Sequence, residues 1–272
     1  MPGHTSAPPP DLRIVRIDTV HPHEEHDSQR ALPLIERLRE ASVLTNPPIV
    51  APIGASQFVI LDGANRCYAM RELGHPHILV QVVTYDSGYV ELDTWQHIVA
   101  GWDEAAFVEQ LQAIDAVEIH ESQIRDAICH IILRSGRVLS LTAPVRTTHE
   151  RNEVLRDVVG VYQRQARLHR TAMNEPEEIW PLYPDANAVV LFPRYSPADI
   201  IAAAKYAAYL PPGVSRHIIH GRALLVNYPL DALRDMETRL PEKNDLLRQW
   251  VQERLANRQV RYYAETTYQF SE

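Results

Sequence analysis

This sequence predicts an α/β chain of the α+β kind, with a mixed sheet and two subdomains. Short aliphatic runs such as Phe58-Val59-Ile60-Leu61 and His77 to Val83 read as buried strands. Between them lie stretches with apolar residues at helical spacing, the first marked by Ala31, Leu34, Ile35, Leu38 and Ala41. The pattern changes near Trp102-Asp103, where a helix and then a hairpin begin, and this predicts a boundary there.

Taken in order, residues 1–12 read as a flexible leader, because the prolines of MPGHTSAPPP suit neither a sheet nor a helix interior. Arg13 to Val20 is expected to be extended, and a polar turn, His21-Pro22-His23-Glu24-Glu25-His26-Asp27, follows. The first helix is stopped by Asn46-Pro47-Pro48, with a short strand from Ile49 to Pro52 behind it. Strand 58–61 runs into Asp62-Gly63-Ala64-Asn65-Arg66 and a helix that turns Cys67, Met70 and Leu73 inward before Gly74. Extended structure is expected again from Val90 to Val99 through Trp95. The second subdomain, residues 103–272, should hold a helix at Glu104–Gln112 and a hairpin of Asp126–Leu133 and Val138–Thr142 turned at Ser135-Gly136. A long helix over Glu150–Leu168, a strand at Ala188–Phe192, a helix at Pro197–Ala208 and a strand at Arg222–Tyr228 complete it. The closing helix carries Leu246, Leu247, Trp250, Val251 and Leu255, and residues 235–272 read as an extension.

Composition narrows the class. The 272 residues hold 27 Lys plus Arg against 35 Asp plus Glu, a formal charge of −8, which argues against a nucleic-acid binder with a net-basic domain. The two cysteines, Cys67 and Cys129, are too few for a disulfide framework and lie among apolar neighbours, as packing residues do. No apolar run approaches the roughly 20 residues of a membrane span. A signal peptide or anchor is not expected at the N-terminus, and the expected location is the cytoplasm.

Three motifs could carry chemistry. The strand–Asp62-Gly63-Ala64-Asn65-Arg66–helix turn suits a phosphate: Gly63 permits the turn, the helix start offers N–H groups, and Arg66 adds a guanidinium. The same spacing also suits a plain β–α turn with a capping Asp or Asn. The histidine- and carboxylate-rich segment 21–27 invites a metal reading, though a solvated polar turn gathers the same residues, and one carboxylate there could serve as a general base. Ser215-Arg216-His217, after Pro211-Pro212-Gly213, could grip a carboxylate or phosphate, or be a surface pair. Neither a Walker A lysine motif nor a Gly-x-Gly-x-x-Gly fingerprint is present.

In this order, His23-Glu24, Asn46-Pro47-Pro48, Asp62 to Arg66, Thr94-Trp95 and Ser215-Arg216-His217 resemble the ParB/sulfiredoxin-like nucleotide-binding superfamily, and within it the ADP- or ATP-dependent free L-serine kinases. The resemblance covers most of residues 13–100 and 188–230. It implies a ParB/sulfiredoxin-like nucleotide-binding domain over 13–102 and an α/β substrate-side subdomain that completes an active-site cleft. It also implies phosphoryl transfer from ATP or ADP, with Mg²⁺, to L-serine, giving O-phospho-L-serine, in amino-acid metabolism such as siderophore or cysteine biosynthesis. Glu24 corresponds to the catalytic base and Asp62 to a second catalytic carboxylate. Gly63, Ala64, Asn65 and Arg66 correspond to the phosphate motif, and Trp95, Ser215, Arg216 and His217 to the serine-binding wall. The metal ligands and the oligomeric state are not implied. One departure is that relatives often carry two histidines where this chain has Ala64 and Asn65. Sulfiredoxins place their cysteine two positions before the motif arginine, where this chain has Ala64. A ParB-like nucleotide switch or DNA-associated regulator without turnover is the alternative.

Overall fold

The computed structural model describes residues 8–26 and 28–263, so the first seven residues of the expected leader lie outside it. The chain divides into two units. One is built from described residues of segments 1–21, 26–91 and 218–272, the other from 22–25 and 92–217. The boundary expected at 102–103 falls instead at 91–92, and the last segment returns to the first unit.

In the first unit, β1 (Asp11–Arg16) takes in two residues expected in the leader, because Asp11 and Leu12 pair with Val82 and Gln81. A 3-10 turn at Ile17–Thr19 breaks the expected extended run before β2 (Val20–His21). The helix α1 (Ser28–Glu40) ends ahead of Asn46-Pro47-Pro48, and a two-residue strand, β3 (Val43–Leu44), lies between. Next come β4 (Ile49–Gly54), β5 (Gln57–Asp62), α2 (Ala64–Glu72) and β6 (His77–Val82). The sheet order is β1-β6-β4-β5-β2; β1–β6 and β4–β5 are antiparallel, while β4–β6 and β2–β5 are parallel. The sheet is therefore mixed, as expected. Cys67 and Met70 of α2 join Ile14, Val50, Ile60, Ile78 and Val80 in one apolar core, where burial pushes the Cys67 thiol pKa up to about 12.

The chain leaves the first unit within β7 (Val90–Thr94). The second unit holds β8 (Gln96–Ala100), α3 (Glu104–Gln112), β9 (Glu118–His120), β10 (Cys129–Leu133) and β11 (Val138–Thr142). It continues with α4 (Thr148–Gln163), β12 (Arg167–Thr171), α5 (Pro176–Ile179), β13 (Ala186–Leu191) and α6 (Pro197–Lys205). Its six-stranded sheet, in order β12-β8-β13-β10-β11-β9, is antiparallel throughout. The helix expected over 150–168 stops at Gln163, since Arg167–Thr171 finds a full ladder against β8 that overrides local propensity. A capping box of Thr147 and Glu150 fixes the start of α4, which buries Leu155, Val158 and Tyr162.

The chain re-enters the first unit within β14 (Ser215–Ile219). The strand expected at 222–228 is absent, because Leu225 and Asn227 adopt left-handed backbone that no strand accommodates; only β15 (Tyr228–Pro229) pairs there, with β3. Then α7 (Leu230–Arg234) and α8 (Leu240–Ala256) close the unit. Leu230, Leu233 and Leu247 are buried in the core with Ile14, so residues 235–256 are part of the unit's body rather than an extension. The buried Lys243 donates through Nζ to the carbonyls of Ala232 (2.7 Å) and Asp235 at the end of α7.

Candidate active site

The expected site residues fall into two groups, one in each unit. In the first unit, β5 ends at Asp62 and Gly63 turns the chain into α2 with φ +89°, a left-handed conformation that favours glycine. A β-carbon there would also lie 3.0 Å from both Pro48 Cβ and Arg66 Nη2, so the arginine folds back over the turn. Arg66 donates from Nη1 to the carbonyl of Asn46 (2.8 Å) and from Nη2 to Asp62 Oδ2 (3.3 Å). Arg222, which no sequence signal marked, also ion-pairs with Asp62 Oδ2. Burial acts to raise the Asp62 pKa, but Arg222 and Arg66 outweigh it and hold the carboxylate below its ordinary value. Ala64, Asn65 and Arg66 form the first turn of α2, the positive end of that helix.

In the second unit, Glu24 is the centre. A single parallel bridge sets it beside Leu210, with Leu210 N–H donating to His23 O (2.8 Å) and Glu25 N–H donating to Leu210 O (3.0 Å). Its carboxylate is cradled by three consecutive backbone donors: Gly213 N–H to Oε2 at 2.8 Å, with Val214 N–H at 3.2 Å and Ser215 N–H at 2.6 Å to Oε1. Such a run of N–H groups is an anion-holding concavity, here filled by the chain's own carboxylate. Gly213 makes it possible: its φ is +75°, and a β-carbon would fall 2.0 Å from Arg170 Cζ.

The triplet that follows lines the same place. Ser215 Oγ is 2.6 Å from His23 Nε2, and the His23 and His217 rings meet edge to face at 5.5 Å. Arg216 lies over the Trp95 ring, 4.7 Å from its centroid, and pairs with Asp93 at 3.3 Å. The Trp95 N–H donates to Val214 O at 2.8 Å. Glu24, Trp95, Ser215, Arg216 and His217 are thus brought together, whereas Asp62 to Arg66 belong to the other unit. Sequence reading did not assign roles to His23, Asp93 or Arg222. His23 stood in the histidine-rich turn, but for Asp93 and Arg222 there was no local signal.

Among its described residues, that turn gathers no metal cluster. Glu25 pairs with Arg156 at 3.2 Å, His26 stacks on Tyr68, and among the described residues no group of three or more His, Cys, Asp or Glu side chains could hold a metal ion. Mg²⁺ needs only one or two carboxylates when phosphates supply its other ligands. Asp62, the carboxylate at the phosphate loop, is occupied by two guanidinium groups and does not fit that role as it stands. No helix among the described residues is long and apolar enough to cross a membrane.

The fold is similar to that of solved free serine kinases. The structure of a free serine kinase in complex with AMP superposes with a TM-score of 0.69 at 17% identity, over 86% of this chain and 98% of that one. The resemblance extends to two particular proteins. The ATP-dependent L-serine kinase of Staphylothermus marinus is 23% identical over 234 residues, 81% of this chain and 90% of its own length. The ATP-dependent L-serine kinase SbnI of Staphylococcus aureus is 22% identical over 94% of this chain and 96% of its own. A C-terminally truncated SbnI structure matches with a TM-score of 0.72 at 20% identity, covering 92% of this chain and 97% of that one. No family model matches the chain.

Proposed function

We propose that this protein is a free L-serine kinase that moves the terminal phosphoryl group of ATP to the serine hydroxyl. The observation that carries the reading is the cradled Glu24 carboxylate beside Arg216 and Trp95. Each carboxylate oxygen has about two lone pairs. Oε1 accepts two N–H groups and Oε2 only one, which leaves Oε2 with capacity to take a proton. In the proposed step the serine O–H gives its proton to Glu24 Oε2 while the serine oxygen bonds to the terminal phosphorus. The bond from that phosphorus to the bridging oxygen breaks, releasing ADP.

Arg216 takes the carboxylate that distinguishes free serine from serine within a protein, because its planar fork meets two oxygens at once. Trp95 and Asp93 fix the direction of that fork. Arg66 and the first turn of α2 receive phosphate, in keeping with relatives that are named ATP-dependent or were seen with AMP. A divalent cation would arrive on the nucleotide phosphates rather than in a protein-built cage.

The test couples nucleotide consumption to O-phosphoserine formation, with L-serine, with serine amide and without either, beside a DNA gel shift. Serine-dependent consumption, a poor response to serine amide and no shift are expected. Equal turnover of serine and serine amide would remove Arg216 from carboxylate recognition. A gel shift without serine-dependent consumption would favour the DNA-associated regulator.

A further inference from the structure

Each peptide unit of the cradle has two ends, and the rear ends are held as well as the front. The three N–H groups that reach Glu24 belong to peptides 212–213, 213–214 and 214–215. Their carbonyls, which point the other way in a trans peptide, are all engaged. Pro212 O accepts from Arg170 at 3.4 Å, Gly213 O lies 3.0 Å from His97 Nε2, and Val214 O accepts from Trp95 N–H at 2.8 Å. The middle contact goes deepest. His97, in β8, and Tyr162, in α4, are both fully buried, and the Tyr162 hydroxyl lies 2.8 Å from His97 Nδ1. Phe192 closes another side of the imidazole with a centroid distance of 4.9 Å.

We propose that the His97–Tyr162 pair is a positioning device that fixes the 213–214 peptide and thereby aims the Glu24 carboxylate. The protons follow by elimination. A carbonyl has none to give, so His97 Nε2 carries the hydrogen that meets Gly213 O. A neutral imidazole has only one N–H, so Nδ1 accepts, and the Tyr162 hydroxyl must donate to it. Burial pushes the His97 pKa down to about 4, which keeps the ring neutral over the working range. The Gly213 carbonyl therefore selects the Nε2–H tautomer, and the Tyr162 hydroxyl supports it by donating to Nδ1. Without the hydroxyl, Nδ1 is a buried acceptor with no donor, and the ring loses the contact that sets its angle to Gly213 O. The sequence singled out neither His97 nor Tyr162, which fell only within an expected extended run and an expected helix.

The activity arm of the test rests on the serine-kinase reading, and the spectroscopic arm does not. Tyr162→Phe keeps the ring and its packing. It should lower kcat for O-phosphoserine formation about tenfold, the scale of one hydrogen bond, while nucleotide Kd stays within about twofold. His97→Gln, whose amide can still donate to Gly213 O, should keep several-fold more kcat than His97→Ala. Nitrogen-15 NMR of the wild type should show His97 protonated on Nε2, and the carboxyl carbon signal of Glu24 should move in Tyr162→Phe. A proton on Nδ1 in the wild type would overturn the proposal. So would wild-type kcat in Tyr162→Phe, or an unmoved Glu24 signal. If the wild type makes no phosphoserine, the kinase reading fails, and the tautomer and the Glu24 signal alone decide the positioning.

Discussion

Glu24 in the second unit and Asp62 in the first are both carboxylates held by several donors, yet the donors differ in kind. Glu24 is held by three backbone N–H groups, which no side-chain replacement other than proline removes individually. Asp62 is held by two guanidinium groups, Arg66 and Arg222, each of which can be deleted by one substitution. A backbone cradle fixes direction with little conformational freedom to lose, which suits Glu24 to its proposed role as the base. A pair of long, partly exposed arginines can instead re-aim, which suits the loop to its proposed role in receiving phosphate.

The sharpest way to break this contrast is Glu24→Gln. One of its two donor-facing oxygens becomes an NH₂ pointed at backbone N–H groups, and the base is lost. Turnover should fall ~10²- to 10⁴-fold, with nucleotide affinity retained. Stopped assays of O-phosphoserine together with calorimetry on the nucleotide read both quantities; near-normal kcat would move the base elsewhere. Gly213→Ala attacks the cradle instead of its occupant. A methyl group there strains the left-handed backbone at φ +75° and displaces the Arg170 guanidinium that holds Pro212 O, so kcat should drop toward the Glu24→Gln level, and the melting temperature should fall as well.

Arg66→Ala probes the other carboxylate. It should weaken nucleotide binding by about 1.5–3 kcal/mol, the worth of a hydrogen bond to a charged group, and leave the serine KM nearly unchanged. Unchanged nucleotide affinity by calorimetry would reduce the Gly63 turn to a structural one.

The smallest effect concerns acid. His75 in the first unit is buried, and burial and the neighbouring Arg234 lower its pKa from 6.5 to about 4, as burial lowers that of His97 in the second. A depressed folded pKa means that the unfolded chain binds the proton first. The stability contributed by the neutral rings is therefore complete above about pH 6.5 and is lost as pH falls toward 4. The melting temperature should fall as pH drops through that window, and His75→Gln should flatten the part of the fall that belongs to the first unit.

Much of the secondary structure was legible because it is local. The helix at Glu104–Gln112 and the strand start at Ile49 sit where periodicity and proline put them. The error over 150–168 came from a strand whose reason to exist is its partner β8, distant in sequence. The site was partly legible for the same reason. Glu24 and Ser215-Arg216-His217 could be matched to a family pattern, but the cradle joining them is made of main-chain groups that every residue owns. Arg222 reaches Asp62 from 160 positions away, out of an irregular segment whose apolar run had read as a strand. The division into units escaped for a related reason, since the first unit is built from both ends of the chain.

That arrangement has a consequence for the order in which the protein can be made. Asn244 of α8 clasps Ile14 of the edge strand β1, accepting its N–H at 2.9 Å and donating to its carbonyl at 2.9 Å, across 230 positions. While the ribosome is still translating the second unit, that edge has no clasp, and Leu230, Leu233 and Leu247 do not yet exist to cover the core. The first segment to emerge must therefore wait for the last, and during that wait β1 is an open strand edge with a liability to pair with other chains.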